Sequence, residues 1–368
     1  MKLIHSFIFL LLTLCLSCSK SELQVGRSMQ YATLLHLDQG EGYVQAEVAN
    51  PWNAQEILAR YILVPKGAEL PANLPQGTLL RTPLERTISL SSLHAALAIE
   101  LGAAEKICAL ADTAFVVSPA VRQLLQTGNI QSVGSSMQPD KERLTALQAD
   151  AILASPYEGA NVSANLPTRT PVILCADYME TSALGRAEWM KFYGLLWGES
   201  DVADSLFDAV ETEYLALCQK AQLATKRPRL ICDTKEGASW PTPGGNSYLG
   251  QLFADAGADY IFAHRPENGT AFLALEEVIA QGLQSDVWLI KYGATTPLTY
   301  AKLSQDFPQS KEFLAYKNRN IWSCNTFHTA YYDEIPFHPE RLLRDLISLL
   351  HPELLPGHEM LYYQRLSE

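Results

Sequence analysis

The stretch Glu199–Thr225, ESDVADSLFDAVETEYLALCQKAQLAT, decides how the rest of the chain is read. Its apolar residues Ala203, Leu206, Phe207, Val210, Tyr214, Leu217, Cys218 and Ala221 recur in steps of three and four, the period of an amphipathic helix. Ser200 is expected to cap its start, and Asp201 and Asp204 put negative charge where the helix dipole favours it. Lys226-Arg227-Pro228 ends it, because proline lacks the N–H that the ladder needs. Counted from the cap to Thr225 at 1.5 Å per residue, the helix is roughly 37 Å long, enough to cross a small domain. Segments that alternate strand and helix patterns flank it on both sides. One long helix between two such halves predicts two lobes held by a stiff connector.

Length and composition agree with that division. The chain has 368 residues, more than one typical domain, and a hydrophobic content of 48% that suffices for a substantial core. Its net charge of -12 argues against nucleic acid as a partner, since phosphates demand Lys and Arg. At the N-terminus, Met1-Lys2 precedes an apolar run, Leu3–Leu16, broken by His5, Ser6 and Thr13. A short basic end, an apolar segment too short to span a bilayer comfortably and a small residue before the break predict a secretory signal over residues 1–17. Ser17-Cys18 resembles a bacterial lipobox, in which the cysteine is lipidated and becomes the first mature residue. Cys15 stands where leucine is commoner. The alternative is a plain signal peptide with an unimportant cysteine. Lipidation at Cys18 would hold the protein at a membrane surface outside the cytoplasm, on a polar tether, 18–28. The remaining Cys108, Cys175, Cys218, Cys232 and Cys324 sit in apolar runs without C-x-x-C spacing, and are expected to be buried thiols.

Between the tether and the long helix, Gln30–Leu37 and Tyr43–Val48 read as strands around the turn Asp38–Gly42, followed by short strands at Tyr61–Val64 and Thr78–Arg81. A regular alternation then begins. Strands are expected at Thr87–Leu90, Ile107–Leu110, Asp150–Ala154 and Pro171–Cys175, with helices from Ser91 to Leu101, at Pro119–Thr127 and at Asp140–Leu147. The aromatic run Leu184–Trp197 has helical spacing. Beyond the connector, strands are expected at Leu230–Cys232, Val287–Ile290 and Asn320–Ser323, and helices at Ser247–Ala256, Leu275–Gln281 and Pro339–Leu350. The fold class is therefore α/β: two lobes with parallel sheets flanked by helices, one long linker helix, and extra N-terminal β-strands. The expected division is signal 1–17, tether 18–28, first lobe with added strands 29–183, helical connector 184–226, and second lobe 227–368.

Several strings carry a family resemblance. TISLSSLHAALAIELGAAEKICAL resembles the strand, Ser-rich turn and helix of the periplasmic substrate-binding proteins of iron-siderophore, haem and cobalamin ABC importers, whose lobes are joined by a single helix. DKERLTALQADAILAS, SYLGQLFADAGADYIF, LALEEVIAQGLQSDVWLI and FLAYKNRNIWSC resemble later blocks of that group, in the same order, with Ala149 and Ala258 where proline and glycine are usual. The resemblance covers roughly residues 85–350. It implies a periplasmic, membrane-anchored lipoprotein that is not an enzyme, needs no cofactor and acts as a monomer. Its partners would be a metal-chelate ligand, iron-siderophore or haem first and cobalamin next, and an ABC importer permease. It also implies docking through one acid on each lobe, at Glu142 and Asp259.

In open α/β sheets ligands bind beyond the carboxyl ends of the strands, so the loops there are the candidates. In the first half these hold Ser91, Ser92, His94, Asp112, Tyr157, Asp177 and Tyr178. In the second they hold the segment WPTPGGNS from Trp240 to Ser247, Arg265, Lys291, Tyr292, and the run from Asn325 through His328 to Tyr332. Trp240 offers a flat apolar face with one donor, Gly244-Gly245 allow close backbone approach, and Asn246 or Ser247 caps the next helix. The competing interpretation of WPTPGGNS is a tight turn with Trp240 packed inward. His94 is a metal-ligand candidate or a locally bonded helix residue, and His328 belongs to a polar rim or a solvated loop. Lys235, Arg265 and Lys291 are placed to counter an anionic ligand, or are ordinary surface charges.

Other chemistries lack their motifs. No G-x-S-x-G elbow, phosphate loop, dinucleotide fingerprint or H-E-x-x-H occurs. A chelatase-like tetrapyrrole enzyme of similar fold is the enzymatic alternative. A bare-metal receptor would have to draw on His94, His264 and His328. The stiff connector predicts modest lobe movement on binding.

Overall fold

The computed structural model describes residues 28–166 and 169–368. The expected signal, the lipobox and Cys18 lie outside the described residues. The connector is a helix at Ser200–Ala221, 22 residues and about 33 Å long. It buries Ala203, Phe207, Val210, Tyr214, Leu217 and Ala221, the stripe that the period requires. Glu199, not Ser200, holds the N-cap position, with no side-chain cap bond. The helix stops short of Thr225 because Leu223 and Ala224 turn back, bonding Lys220 and Ala221 in a tighter turn.

The helix touches both halves. Position 194 on the preceding helix, Met190–Trp197, is glycine because a Cβ there would meet the Ala203 Cβ at 2.5 Å. Tyr214 donates to Asp255 at 2.7 Å on the second-lobe helix Tyr248–Asp255.

The first strands form a sheet of their own, in the order β1 (Leu35–Gly40), β2 (Tyr43–Ala49), β3 (Ile57–Pro65) and β4 (Thr78–Thr82), with only β3 and β4 parallel. Gly42 turns the β1–β2 hairpin at φ 77°. The first strand starts at Leu35 rather than Gln30 for a visible reason. The backbone N–H groups of Gln30, Tyr31 and Ala32 donate to the buried carboxylate of Glu188, and those of Thr33 and Leu34 to Glu180. Donors spent on side chains cannot join a ladder.

The first lobe is a five-stranded parallel sheet in the order β7-β6-β5-β8-β9, from β5 (Thr87–Ser89), β6 (Ile107–Leu110), β7 (Gln131–Ser132), β8 (Ala151–Ala154) and β9 (Val172–Leu174). Strand residues alternate between two hydrophobic clusters. Ile88, Ala109 and Ile152 face one, with Val133 and Leu144, while Leu110, Ala151 and Leu153 face the larger. A parallel sheet covered on both faces needs both. The edge strand β9 is closed by Tyr61, whose hydroxyl accepts from Leu174 N at 2.7 Å and donates to Val172 O.

The second lobe repeats the plan with β10 (Arg229–Cys232), β12 (Asp259–Tyr260), β14 (Val287–Tyr292), β15 (Ile321–Asn325) and β16 (Gln364–Arg365), in the order β12-β10-β14-β15-β16. All its pairs are parallel except β15–β16. Outside that sheet, β11 (Ser239–Pro243) and β13 (Thr270–Ala274) pair antiparallel. The two lobes thus have separate sheets. The five cysteines from Cys108 onward are free thiols, buried or half-buried, and burial pushes Cys218, Cys232 and Cys324 up to about 12. Among the described residues no helix is long and apolar enough to cross a membrane.

Candidate functional site

A cleft of about 620 Å³ opens where the carboxyl ends of the second-lobe strands face the first lobe and the helix Ala183–Glu188. Its floor is Asp233 and Thr234 after β10, Lys291 and Tyr292 at the end of β14, and Thr326 after β15. One wall comes from Pro241–Pro243 of β11, Thr270 of β13, and Ser247 and Tyr248 at the start of the helix Tyr248–Asp255. Ser247 caps that helix, accepting from Gly250 N at 3.1 Å. Opposite stand Tyr178 and Met179, just beyond β9, and Arg186 from the helix Ala183–Glu188. Tyr332, 59% exposed, stands at the mouth.

Two ion pairs set the electrostatics. Lys291 Nζ donates to Asp233 Oδ1 at 2.6 Å, both side chains nearly buried. Burial works against the Lys291 charge, but Asp233 outweighs it and holds the ammonium well above its ordinary range. Asp233 has a left-handed backbone, φ 63°, fixed by Trp288 Nε1 donating to its carbonyl at 2.8 Å. Across the cleft, Arg186 Nε donates to Asp177 Oδ2 at 3.2 Å, and its guanidinium lies 4.7 Å from the Tyr248 ring centre. Arg186 thereby links a first-lobe carboxylate to a second-lobe ring.

The expected site residues divide into groups. Tyr178 and Tyr292 both line the cleft, Tyr178 from the first-lobe side and Tyr292 from the floor. Ser92 spans the lobes differently: its hydroxyl donates to Asp333 Oδ1 at 2.5 Å, and Ser118 N bonds Asp333 Oδ2. Ser91 is half-buried at the cap of the same first-lobe helix, its N–H on Ser89 Oγ. Asp112 adopts a left-handed turn, φ 51°, and accepts from Ser136 N. Tyr157 and His328 are exposed and do not line the cleft.

Four of the candidate side chains are taken up by burial or local bonding. His94 is not an open ligand position. It is buried between Ser89 Oγ and Tyr193 OH, and desolvation lowers it to about 4, leaving it neutral. Trp240 offers no open face, being 0% exposed, with Nε1 donating to Cys232 O and its ring stacked on Trp288 at 5.8 Å. Asn325 is spent on the Ala294 backbone, and Arg265 on Glu267 and Glu277. Asn246 is exposed and donates to Pro266 O outside the cleft lining. The glycine pair approaches backbone of its own chain: Cβ atoms at 244 and 245 would meet Glu267 O at 2.1 Å and Ala263 O at 2.0 Å. Glu142 and Asp259 are both exposed, Asp259 beside Arg229 at 3.9 Å.

Sequence reasoning missed Arg186, Asp233 and Tyr248. Asp233 directly follows the strand Leu230–Cys232, so the strand-end rule applied elsewhere would have found it. Arg186 carried a subtler signal, a single cation in a mostly apolar stretch, ALGRAEWM, whose one other charge is Glu188.

Two separate α/β lobes, one connecting helix and a cleft at the strand ends define a two-lobe fold with its crevice where ligands bind in open α/β sheets. The chain belongs to the periplasmic binding protein family, whose model matches residues 88–326. An uncharacterized lipoprotein of Methanocaldococcus jannaschii is 24% identical over 66% of this chain, and the match spans 58% of that relative's length. Among solved structures, a periplasmic binding protein from Veillonella parvula is similar with TM-score 0.62, at 14% identity, over 89% of this chain and 99% of that one. A periplasmic heme binding protein from Pseudomonas aeruginosa gives TM-score 0.60 at 16% identity, over 77% and 99% of the two chains.

Proposed function

We propose that this chain is an extracytoplasmic lipoprotein that captures a metal chelate, an iron-siderophore or haem, in the cleft between its lobes and delivers it to an ABC importer permease. The observation that carries the reading is the cleft itself. It has a volume suited to a small organic ligand and a lining of tyrosines, prolines and threonines around two fixed ion pairs. A chelate brings its own donor shell to the metal. That suits a chain in which, among the described residues, no group of three or more His, Cys, Asp or Glu is placed to hold a metal ion.

Cys18 is the lipidation site in this reading, on a tether ending where Glu188 and Glu180 grip residues 30–34. The lipoprotein name of the archaeal relative supports it. The division expected from the sequence, with lobes at 29–183 and 227–368 and the connector at 184–226, places the cleft residues on both lobes. Exposed Glu142 and Asp259 are the proposed permease contacts, where charges set encounter and orientation. The protein acts as a monomer and carries no catalytic group.

The test is a thermal-shift titration of the purified mature chain with haem, cobalamin and several ferric siderophores. Binding of one iron chelate should raise the melting temperature with the logarithm of its concentration. A response to cobalamin alone would reassign the cargo, and a response to none would refute chelate capture.

A further inference from the structure

The cleft contains more hydrogen-bond donors than the protein itself uses, and they belong to two cations. The Lys291 ammonium has three donors and gives one to Asp233. The Arg186 guanidinium has five and gives Nε to Asp177. No acceptor among the described residues takes the rest within hydrogen-bond distance, although both side chains line the cleft and are nearly buried. The acids offer less in return. Both Asp177 oxygens are engaged, by Arg186 and by the Tyr193 hydroxyl, and Asp177 does not line the cleft. Glu236 lies at the exposed rim, where water screens it. Deep in the cleft, two cations face one anion, Asp233.

We propose that Lys291 and Arg186 together form a seat for acidic groups of the cargo, carboxylate or catecholate oxygens, so that the chelate carried is an anion rather than an uncharged complex. The inference rests on the chelate-binding reading above and narrows it. Charge-assisted hydrogen bonds to such oxygens would satisfy the remaining donors. An uncharged cargo could offer these donors only neutral acceptors, whose hydrogen bonds are weaker than those of an ionised oxygen. Asp233 and Asp177 act as positioning residues, each holding its cation in place before the cargo arrives. The constrained backbone of Asp233 and the stacking of Arg186 on Tyr248 serve the same purpose.

The experiment compares four probes on the full mature chain: haemin and ferric enterobactin, which are anionic, and ferrichrome and cyanocobalamin, which carry no net charge. The anionic probes should bind at least about tenfold more tightly than the uncharged ones. Lys291→Gln should weaken only the anionic probes, by about tenfold or more, while Lys291→Arg should retain them. Because Lys291→Gln strands Asp233, the neutral pair Asp233→Asn with Lys291→Gln is measured beside it. Its melting temperature should stay near that of the parent while the preference for anions is lost. Tighter binding of an uncharged probe, or a preference unchanged in the neutral pair, would overturn the seat and leave chelate capture standing. Failure of all four probes to bind would instead overturn the chelate reading, and the seat with it.

Discussion

His338 shows how single residues clasp the lobes. One ring nitrogen contacts Glu100 Oε2 at 2.6 Å, on the first-lobe helix Ser92–Glu100, and the other contacts Glu340 Oε1 at 2.9 Å. Burial opposes the charged ring, but the bonds to Glu100 and Glu340 outweigh it and lift its pKa to about 9. The folded state therefore holds a proton that the unfolded state releases near pH 6.5, and that stabilisation is complete below pH 6.5 and lost as pH rises through about 9. His94 has the opposite shift: neutral in the fold down to about 4, it withdraws stability as pH falls from 6.5 toward 4. Urea unfolding should show stability declining between pH 7 and 9.5, with His338→Gln flattening that limb. An unchanged limb in the variant would remove His338 from the clasp. At this scale the sequence was a poor guide, because the same residue type serves unlike ends. Arg265 follows a strand and Arg186 sits within a helix, yet only the three-dimensional neighbours decide which one faces the cleft.

At the scale of elements, the ladder of β11 and β13 matters most, because it makes a wall of the cleft and its first strand was read from sequence as a loop. The two prolines in WPTP argued against a strand. The segment tolerates them because β11 pairs with one neighbour only, leaving its other edge without a ladder to satisfy. The Gly244-Gly245 turn that follows lets the chain pass against Ala263 and Glu267 and brings Ser247 into position as a cap. Gly245→Ala places a methyl against backbone that cannot yield, so it should cost about 1–3 kcal/mol in urea unfolding and weaken chelate binding by shifting Ser247 and Tyr248. Gly269→Ala, in open space on the same wall, should change stability by less than about 0.5 kcal/mol. Equal effects of the two would show that close approach is not why glycine stands at 245. By contrast, the long helix and the parallel strands were legible in the sequence, since period and burial coincide along them. Tertiary pairing decided the rest. The segment 30–34 has a strand-like pattern, yet two buried glutamates claim its donors.

For the molecule as a whole, the lobes are tied at several points. The connector helix packs on both, Asp333 takes hydrogen bonds from Ser92 and Ser118, His338 reaches Glu100, and Phe115 lies 6.3 Å from Phe327 across the gap. Closure on a ligand would have to break or shear these contacts, so the movement should be small. The account is tested most directly by crystal structures of the mature chain without cargo and with the chelate that raises its melting temperature most. It predicts ligand density between Tyr178, Tyr248 and Tyr292, acidic groups at Lys291 and Arg186, and lobes that superpose within about 1 Å. Density elsewhere on the surface, or lobes swung together around the ligand, would contradict it.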